Sequence, residues 1–246
     1  MIKSVLFDLD GTLLPLNQDE FLREYLNHLG ARVANVADPK KFISQLLAST
    51  EVMIKSRDKS KTNQQVFFDD FLPNIGVAPD ILMPVIDNFY ETDFVLVKPT
   101  TKSNADARRA VMAVAELGID VVVATNPIFP ISAIRQRIDW AGVGDVKFTF
   151  VTCYEECHFC KPHPEYYLEI AERIGRKPED CLMVGNDVIE DLAAARIGMK
   201  TYLVTDCLLN SQEAEAKADY QGTLAELAAT IAGIIRTENG RIKDNE

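Results

Sequence analysis

Five short runs, mostly β-branched or aliphatic, recur along this chain: Ile2 to Phe7, Ile119 to Ala124, Val146 to Val151, Cys181 to Val184 and Thr201 to Val204. Runs this short, without the alternation of a half-exposed strand, are how strands buried on both faces read. Helical spacing fills the gaps between them. From about Asn104 to Leu117, Ala107, Val111 and Val114 share one face, and Gly118 supplies a stop. From Pro164, well suited to a first helical position, Tyr167, Ile170, Ala171 and Ile174 share another. Val188, Leu192, Ala195 and Met199 make a third. Strands alternating with helices predict crossover units and a parallel sheet covered on both sides, an α/β fold.

The alternation breaks once. From about Leu16 to Val97 there are helical stripes, Leu22, Leu26 and Leu29, then Leu82, Val85, Ile86 and Phe89, but no convincing strand. This predicts an all-helical insertion over 17–97, within a core made of 1–16 and 98–236. The polar stretch KSRDKSKTNQQ, Lys55 to Gln65, is expected to be a helix end and an exposed loop, and TENGRIKDNE, 237–246, a flexible tail with little to bury.

A 246-residue chain with 47% hydrophobic and 26% charged residues can bury a core of ordinary soluble type. Its net charge of -11 opposes broad attraction to nucleic acid or anionic membranes. MIKSVLFDLDGT meets two aspartates too early for a signal peptide, and no run approaches membrane-spanning length. Five cysteines, an odd number without a secretion signal, fit a reduced, cytoplasmic setting. Oligomeric state is left open.

In an open parallel sheet, ligands bind beyond the carboxyl ends of the strands. The residues there are Asp8-Leu9-Asp10-Gly11-Thr12, then Thr125-Asn126, then Lys161, then Gly185-Asn186-Asp187 with Asp191 one turn on. Each has a plain structural reading: a turn, a cap, a solvated lysine, acids at a helix start. Together they place several carboxylates, a hydroxyl and one cation at one edge of the sheet. Carboxylates packed this closely repel unless a cation sits among them, and hard oxygen donors suit Mg2+ better than zinc.

FDLDGT, VVVATN, the lysine of CKPHPEYY and VGNDVIED resemble, in order, the four motifs of the haloacid dehalogenase superfamily, most of whose members are phosphatases. The resemblance implies a Rossmann-like core with a helical cap and a small phosphorylated metabolite as substrate. It makes Asp8 the nucleophile and Asp10 the acid and base. Thr125, the Asn126 amide and Lys161 become ligands of the phosphoryl oxygens. Asp8, the Asp10 carbonyl and Asp187 become ligands of Mg2+, with Asp191 supporting them. A dehalogenase needs no such acid/base pair. A phosphomutase shares the aspartyl-phosphate step and stays an alternative, as does a non-catalytic binding protein.

CYEECHFC, Cys153 to Cys160, has the thiol spacing of a radical SAM cluster loop. Only 86 residues follow Cys160, too few for the rest of such a fold. A zinc site using His158 or His163 is a second reading. The favoured one makes the thiols small buried apolar residues, with His163 fixing a turn or capping the next helix.

Overall fold

The computed structural model describes residues 1–210, 212 and 217–243. Strands β1 (Ser4–Phe7), β2 (Asp120–Val123), β3 (Phe150–Val151), β4 (Cys181–Gly185), β5 (Lys200–Val204) and β6 (Tyr220–Gly222) form one sheet in the order β3-β2-β1-β4-β5-β6. Every pairing is parallel. Phe7 lies opposite Val123 on one side and Val184 on the other, so the three central strands end level. Val5, Leu6 and Phe7 are wholly buried, as their unbroken apolar run requires.

Helices α1 (Gln18–Val33), α2 (Pro39–Lys55), α3 (Asn63–Ile75) and α4 (Pro79–Asn88) follow β1, and α4 runs on into a π turn and a 3-10 segment that ends at Thr100. The chain leaves and re-enters the sheet layer side by side: Leu16 bridges Thr101, and the Lys102 amide donates to the Pro15 carbonyl at 2.8 Å. Local chemistry starts these helices. Asn17 and Asp38 accept the amides of Glu20 and Lys41, and Thr62 and Gln65 cap α3 reciprocally. Helices α5 (Ala105–Ala115), α6 (Ile131–Trp140), α7 (Pro164–Arg173) and α8 (Leu224–Lys243) complete the layers around the sheet. Among the described residues no helix is long and apolar enough to cross a membrane.

Several expectations shift. In α1 the buried stripe is Phe21, Tyr25, Leu29 and Val33, while Leu22 is 40% exposed. The aromatic residues, larger than leucine, set which face turns inward. Residues 191–197 form a 3-10 segment, so Leu192, Ala193 and Ala194 are buried and Ala195 is exposed, against the α-helical spacing expected there. Only the end of the Val146 to Val151 run pairs in the sheet. Strand β6 has no apolar run, because an edge strand need not be buried on both sides. Residues 237–243 continue α8 and are not a loose tail: the Asn239 side chain accepts the Ile2 amide at 2.6 Å and donates to the Ile2 carbonyl at 3.2 Å. The part of that expectation covering 244–246 lies outside the described residues.

The thiol loop is where α3 docks. The carbonyls of Cys157 and Tyr154 accept the first amides of α3, from Asn63 at 2.7 Å and Gln64 at 2.8 Å, satisfying donors that a helix start cannot pair internally. The Asn63 side chain donates to the Pro127 carbonyl and approaches Cys160 Sγ at 3.3 Å. Cys153, Cys157 and Cys160 are buried, and burial pushes Cys153 up to about 12 and the other two well above the ordinary thiol range. His158 is engaged by Glu169 at 2.6 Å. His163 sits at the N-cap of α7 without capping it; its ring meets the Ile54 carbonyl of α2 at 2.9 Å. In the native protein at pH 8, iodoacetamide is therefore expected to label the half-buried Cys207 and leave Cys153, Cys157, Cys160 and Cys181 unlabelled by peptide mass mapping. Rapid labelling of the 153–160 loop overturns its assignment to the core.

Candidate active site

Because β1, β2 and β4 end level, the residues after them converge. The Asp8 amide donates to the Val184 carbonyl at 2.8 Å and the Ala124 amide to the Phe7 carbonyl at 2.7 Å, which carries the sheet pairing one residue past the strand ends. Asp8 then stands between Ala124 and Gly185, with Thr125 the next residue along. Two glycines permit the approach of side chains here. A Cβ at Gly185 would stand 2.0 Å from Asp191 Oδ2, and one at Gly11, whose φ is +82°, would stand 2.4 Å from Asn186 Nδ2.

The centre of the site is Lys161, 1% exposed. Its Nζ donates to Asp8 Oδ1 at 2.8 Å and to Asp191 Oδ1 at 2.6 Å. Burial alone would lower the lysine, but Asp191 and Asp8 together hold it well above its ordinary value. Burial likewise raises Asp8, and raises Asp191 to about 6, against the opposing pull of Lys161 in both cases. Asp191 uses its other oxygen to accept the Asp187 amide at 2.9 Å. The Asp187 carboxylate accepts the amides of Ile189 and Glu190 and both contacts of the Asn210 side-chain amide, at 2.9 and 2.8 Å. Thr12 Oγ1 lies 2.9 Å from Asn186 Oδ1 and 3.2 Å from Asp8 Oδ2, and its single proton serves one of them at a time.

Loop 125–130 is pinned from the opposite side. The Thr125 carbonyl accepts the hydroxyls of Thr152 at 2.6 Å and Tyr166 at 2.8 Å. The Asn126 side chain accepts the Lys161 amide at 3.3 Å and donates to Glu190 Oε1 at 3.1 Å, which ties the second, third and fourth sequence motifs together. Asp8, Asp10, Thr125, Asn126, Asp187 and Asp191 all line one cavity of about 350 Å³. Lys161 is not on its wall and reaches it through the Asp8 carboxylate.

Arg137 was not legible in advance. Its guanidinium, 1% exposed, pairs with Asp10 Oδ2 and lies 4.4 Å over the Phe129 ring and 5.8 Å over Phe21. Burial raises Asp10, and Arg137 opposes that rise. Asp10 Oδ1 and Arg137 Nη2 are both buried without a hydrogen-bond partner, an open acceptor and an open donor beside their ion pair. The one signal in the sequence was an arginine on the apolar stripe of Ala133, Ile134 and Ile138. Glu190, pushed up to about 7 by burial, and Asn210 were likewise missed.

Five carboxylates line the cavity, those of Asp8, Asp10, Asp187, Glu190 and Asp191, while the buried cations beside them are Lys161 and Arg137. This excess of hard anionic oxygen fits a divalent cation such as Mg2+. Among the described residues no group of three or more His, Cys, Asp or Glu side chains is arranged to hold a metal ion by itself.

A parallel α/β sheet with acid-rich loops at its carboxyl edge and a helical insertion after the first strand defines a class of hydrolase. The chain belongs to the haloacid dehalogenase-like hydrolases, whose family model matches residues 2–198. It is 28% identical to a glyceraldehyde 3-phosphate phosphatase of Methanopyrus kandleri, over 82% of this chain and 83% of the relative. It is 29% identical to the pyrophosphatase PpaX of Bacillus mycoides, over 89% and 91%. A HAD phosphatase from Thermococcus onnurineus shares the fold, with a TM-score of 0.57 and 21% identity over 94% of this chain and 99% of the other. The protein is a hydrolase of this superfamily.

Replacing Lys161 with Met leaves Asp8 and Asp191 buried without their cation. The unfolding free energy in urea is expected to fall by about 3–5 kcal/mol, the usual result of removing one partner of a buried ion pair. A loss below about 1 kcal/mol overturns the placement of Lys161 as their common counter-ion.

Proposed function

We propose that this enzyme hydrolyses a small phosphomonoester with Mg2+ through an aspartyl-phosphate on Asp8. The observation that carries the reading is the Lys161 ammonium held between Asp8 and Asp191, which opposes the protonation that burial favours and so supports a nucleophilic carboxylate at the end of β1. An Asp8 oxygen attacks phosphorus, the bond to the leaving oxygen breaks, and Asp10 gives that oxygen its proton. Water then attacks phosphorus and passes a proton to Asp10. The bond between phosphorus and Asp8 breaks, and phosphate leaves. The upward shift of Asp10 by burial favours the protonated form that the first step needs.

Arg137 orients Asp10 through the contact with Oδ2 and acts as a positioning residue. Thr125 and the Asn126 amide hold a phosphoryl oxygen, and Lys161, with two of its three N–H groups engaged, has one left for another. The carboxylates of Asp8 and Asp187 and the main-chain carbonyl of Asp10 would hold Mg2+, with Asp191 fixing the loop that carries Asp187. When bound, the ion supplies positive charge to the phosphoryl oxygens. The helices over 17–97 act as the cap that selects the leaving group, on a core of 1–16 and 98–236. We assign the enzyme to the cytoplasm, in keeping with five free cysteines.

Activity on p-nitrophenyl phosphate is expected to vanish in EDTA and return with Mg2+, and Asp187→Ala to raise the Mg2+ needed for half-maximal rate at least tenfold. Full activity without metal overturns the Mg2+ assignment.

For alkyl phosphates, whose leaving oxygen needs a proton, Arg137→Met is expected to lower kcat about 10- to 100-fold and change KM less. With p-nitrophenyl phosphate the loss should be smaller. Equal losses on both would make Arg137 a packing residue alone.

The mechanism itself is tested by intact-protein mass after a rapid quench. Asp8→Asn removes the attacking carboxylate and should give no phosphorylated enzyme. Asp10→Asn keeps the nucleophile but loses the base for hydrolysis, so with p-nitrophenyl phosphate it should accumulate the adduct of Asp8. Phosphorylation of the Asp8 variant sinks the assignment.

A further inference from the structure

The cavity that opens on Asp8 and Asp10 continues into the helical insertion, and its far wall has a definite chemistry. Leu46 and Leu47 of α2, Phe67, Phe68 and Phe71 of α3 and Tyr25 of α1 line it. Among the described residues no lysine, arginine or histidine lines any part of it. Of the basic residues in 55–65, none lines the cavity, and three pair at the exposed surface: Lys55 with Glu51, Arg57 with Glu165 and Lys61 with Asp69.

Three hydroxyls of that wall, those of Tyr25, Tyr90 and Thr50, are already engaged. The hydroxyls of Tyr25 and Tyr90 share a hydrogen bond at 2.7 Å, and Thr50 Oγ1 donates to the Leu46 carbonyl at 2.8 Å. A sugar or triose hydroxyl entering this space would lose its water and find few free partners, which costs affinity. A second phosphate would meet carboxylates and aromatic faces instead of a cation. Apolar surface placed there gains the transfer free energy of its burial. An apolar cavity of about 150 Å³ suffices for a benzene ring, so about 350 Å³ has room well beyond a three-carbon leaving group.

We infer that the substrate is a phosphate monoester of an apolar alcohol larger than a triose, with its hydrocarbon in the cavity walled by α1, α2 and α3. This rests on the phosphatase reading above and names the leaving group that the reading left open. It differs from the glyceraldehyde 3-phosphate and pyrophosphate that give two relatives their names.

The test is kcat/KM, with Mg2+ present, for ethyl, butyl and octyl phosphate, which share a primary alkoxide leaving group, beside glycerol 3-phosphate, pyrophosphate and p-nitrophenyl phosphate. Each buried methylene is worth about fourfold, so octyl phosphate should exceed ethyl phosphate at least 100-fold and glycerol 3-phosphate at least tenfold. The variant Leu47→Arg, at a position 41% exposed where a long side chain fits without refolding the core, should cut the octyl-to-ethyl ratio at least tenfold. A flat alkyl series, or glycerol 3-phosphate or pyrophosphate turned over better than octyl phosphate, overturns this inference and leaves the phosphatase reading standing. Absence of turnover of every ester, p-nitrophenyl phosphate included, overturns the reading and takes the inference with it.

Discussion

Everything at the carboxyl edge of the sheet depends on one buried ammonium ion. Two aspartates whose carboxylates share a desolvated space would repel each other and drift toward the neutral form. Lys161, 2.8 Å from one and 2.6 Å from the other, removes that conflict and fixes their separation. Asp191 in turn holds the amide of Asp187, and the main chain of Lys161 is held by Asn126. Three loops that are remote in sequence are thus locked by a single cation and its hydrogen bonds.

That lock needs the strands to end together. The register of β1 with β2 and β4 brings Asp8, Ala124 and Gly185 to one level, with Thr125 just beyond, and the absence of a side chain at Gly185 lets Asp191 come close. The same edge gathers more carboxylates than its two cations offset. Such a surplus of hard anionic oxygen is the chemistry that suits a divalent ion.

The helical insertion is fastened at two places that also bound the site. The start of α3 gives its unpaired amides to the loop just before Lys161, and Phe21 and Tyr25 of α1 pack against Phe129 of the 125–130 loop. The cysteines of CYEECHFC are therefore packing residues in a docking loop, and their burial holds the thiols protonated. Between these fastenings lies the cavity, with carboxylates at one end and aromatic side chains at the other.

The sequence by itself located five of the six strands, the run of helices after the first of them and the order of the charged loops. Those follow from short-range rules: an unbroken apolar run is a buried strand, a stripe at helical spacing is a helix, and a parallel strand presents its carboxyl end to ligands. Long-range pairing was beyond such rules. Arg137 stands 127 positions from Asp10 and looked like one basic residue on an apolar helix, and Asn210 reaches Asp187 from a loop with no motif. The face of α1 that turns inward, the 3-10 winding of 191–197 and the ordering of 237–243 were likewise set by neighbours. Packing and desolvation act between side chains that only the folded chain brings together, so which groups share a cavity, and what fills its far wall, was decided by the tertiary structure alone.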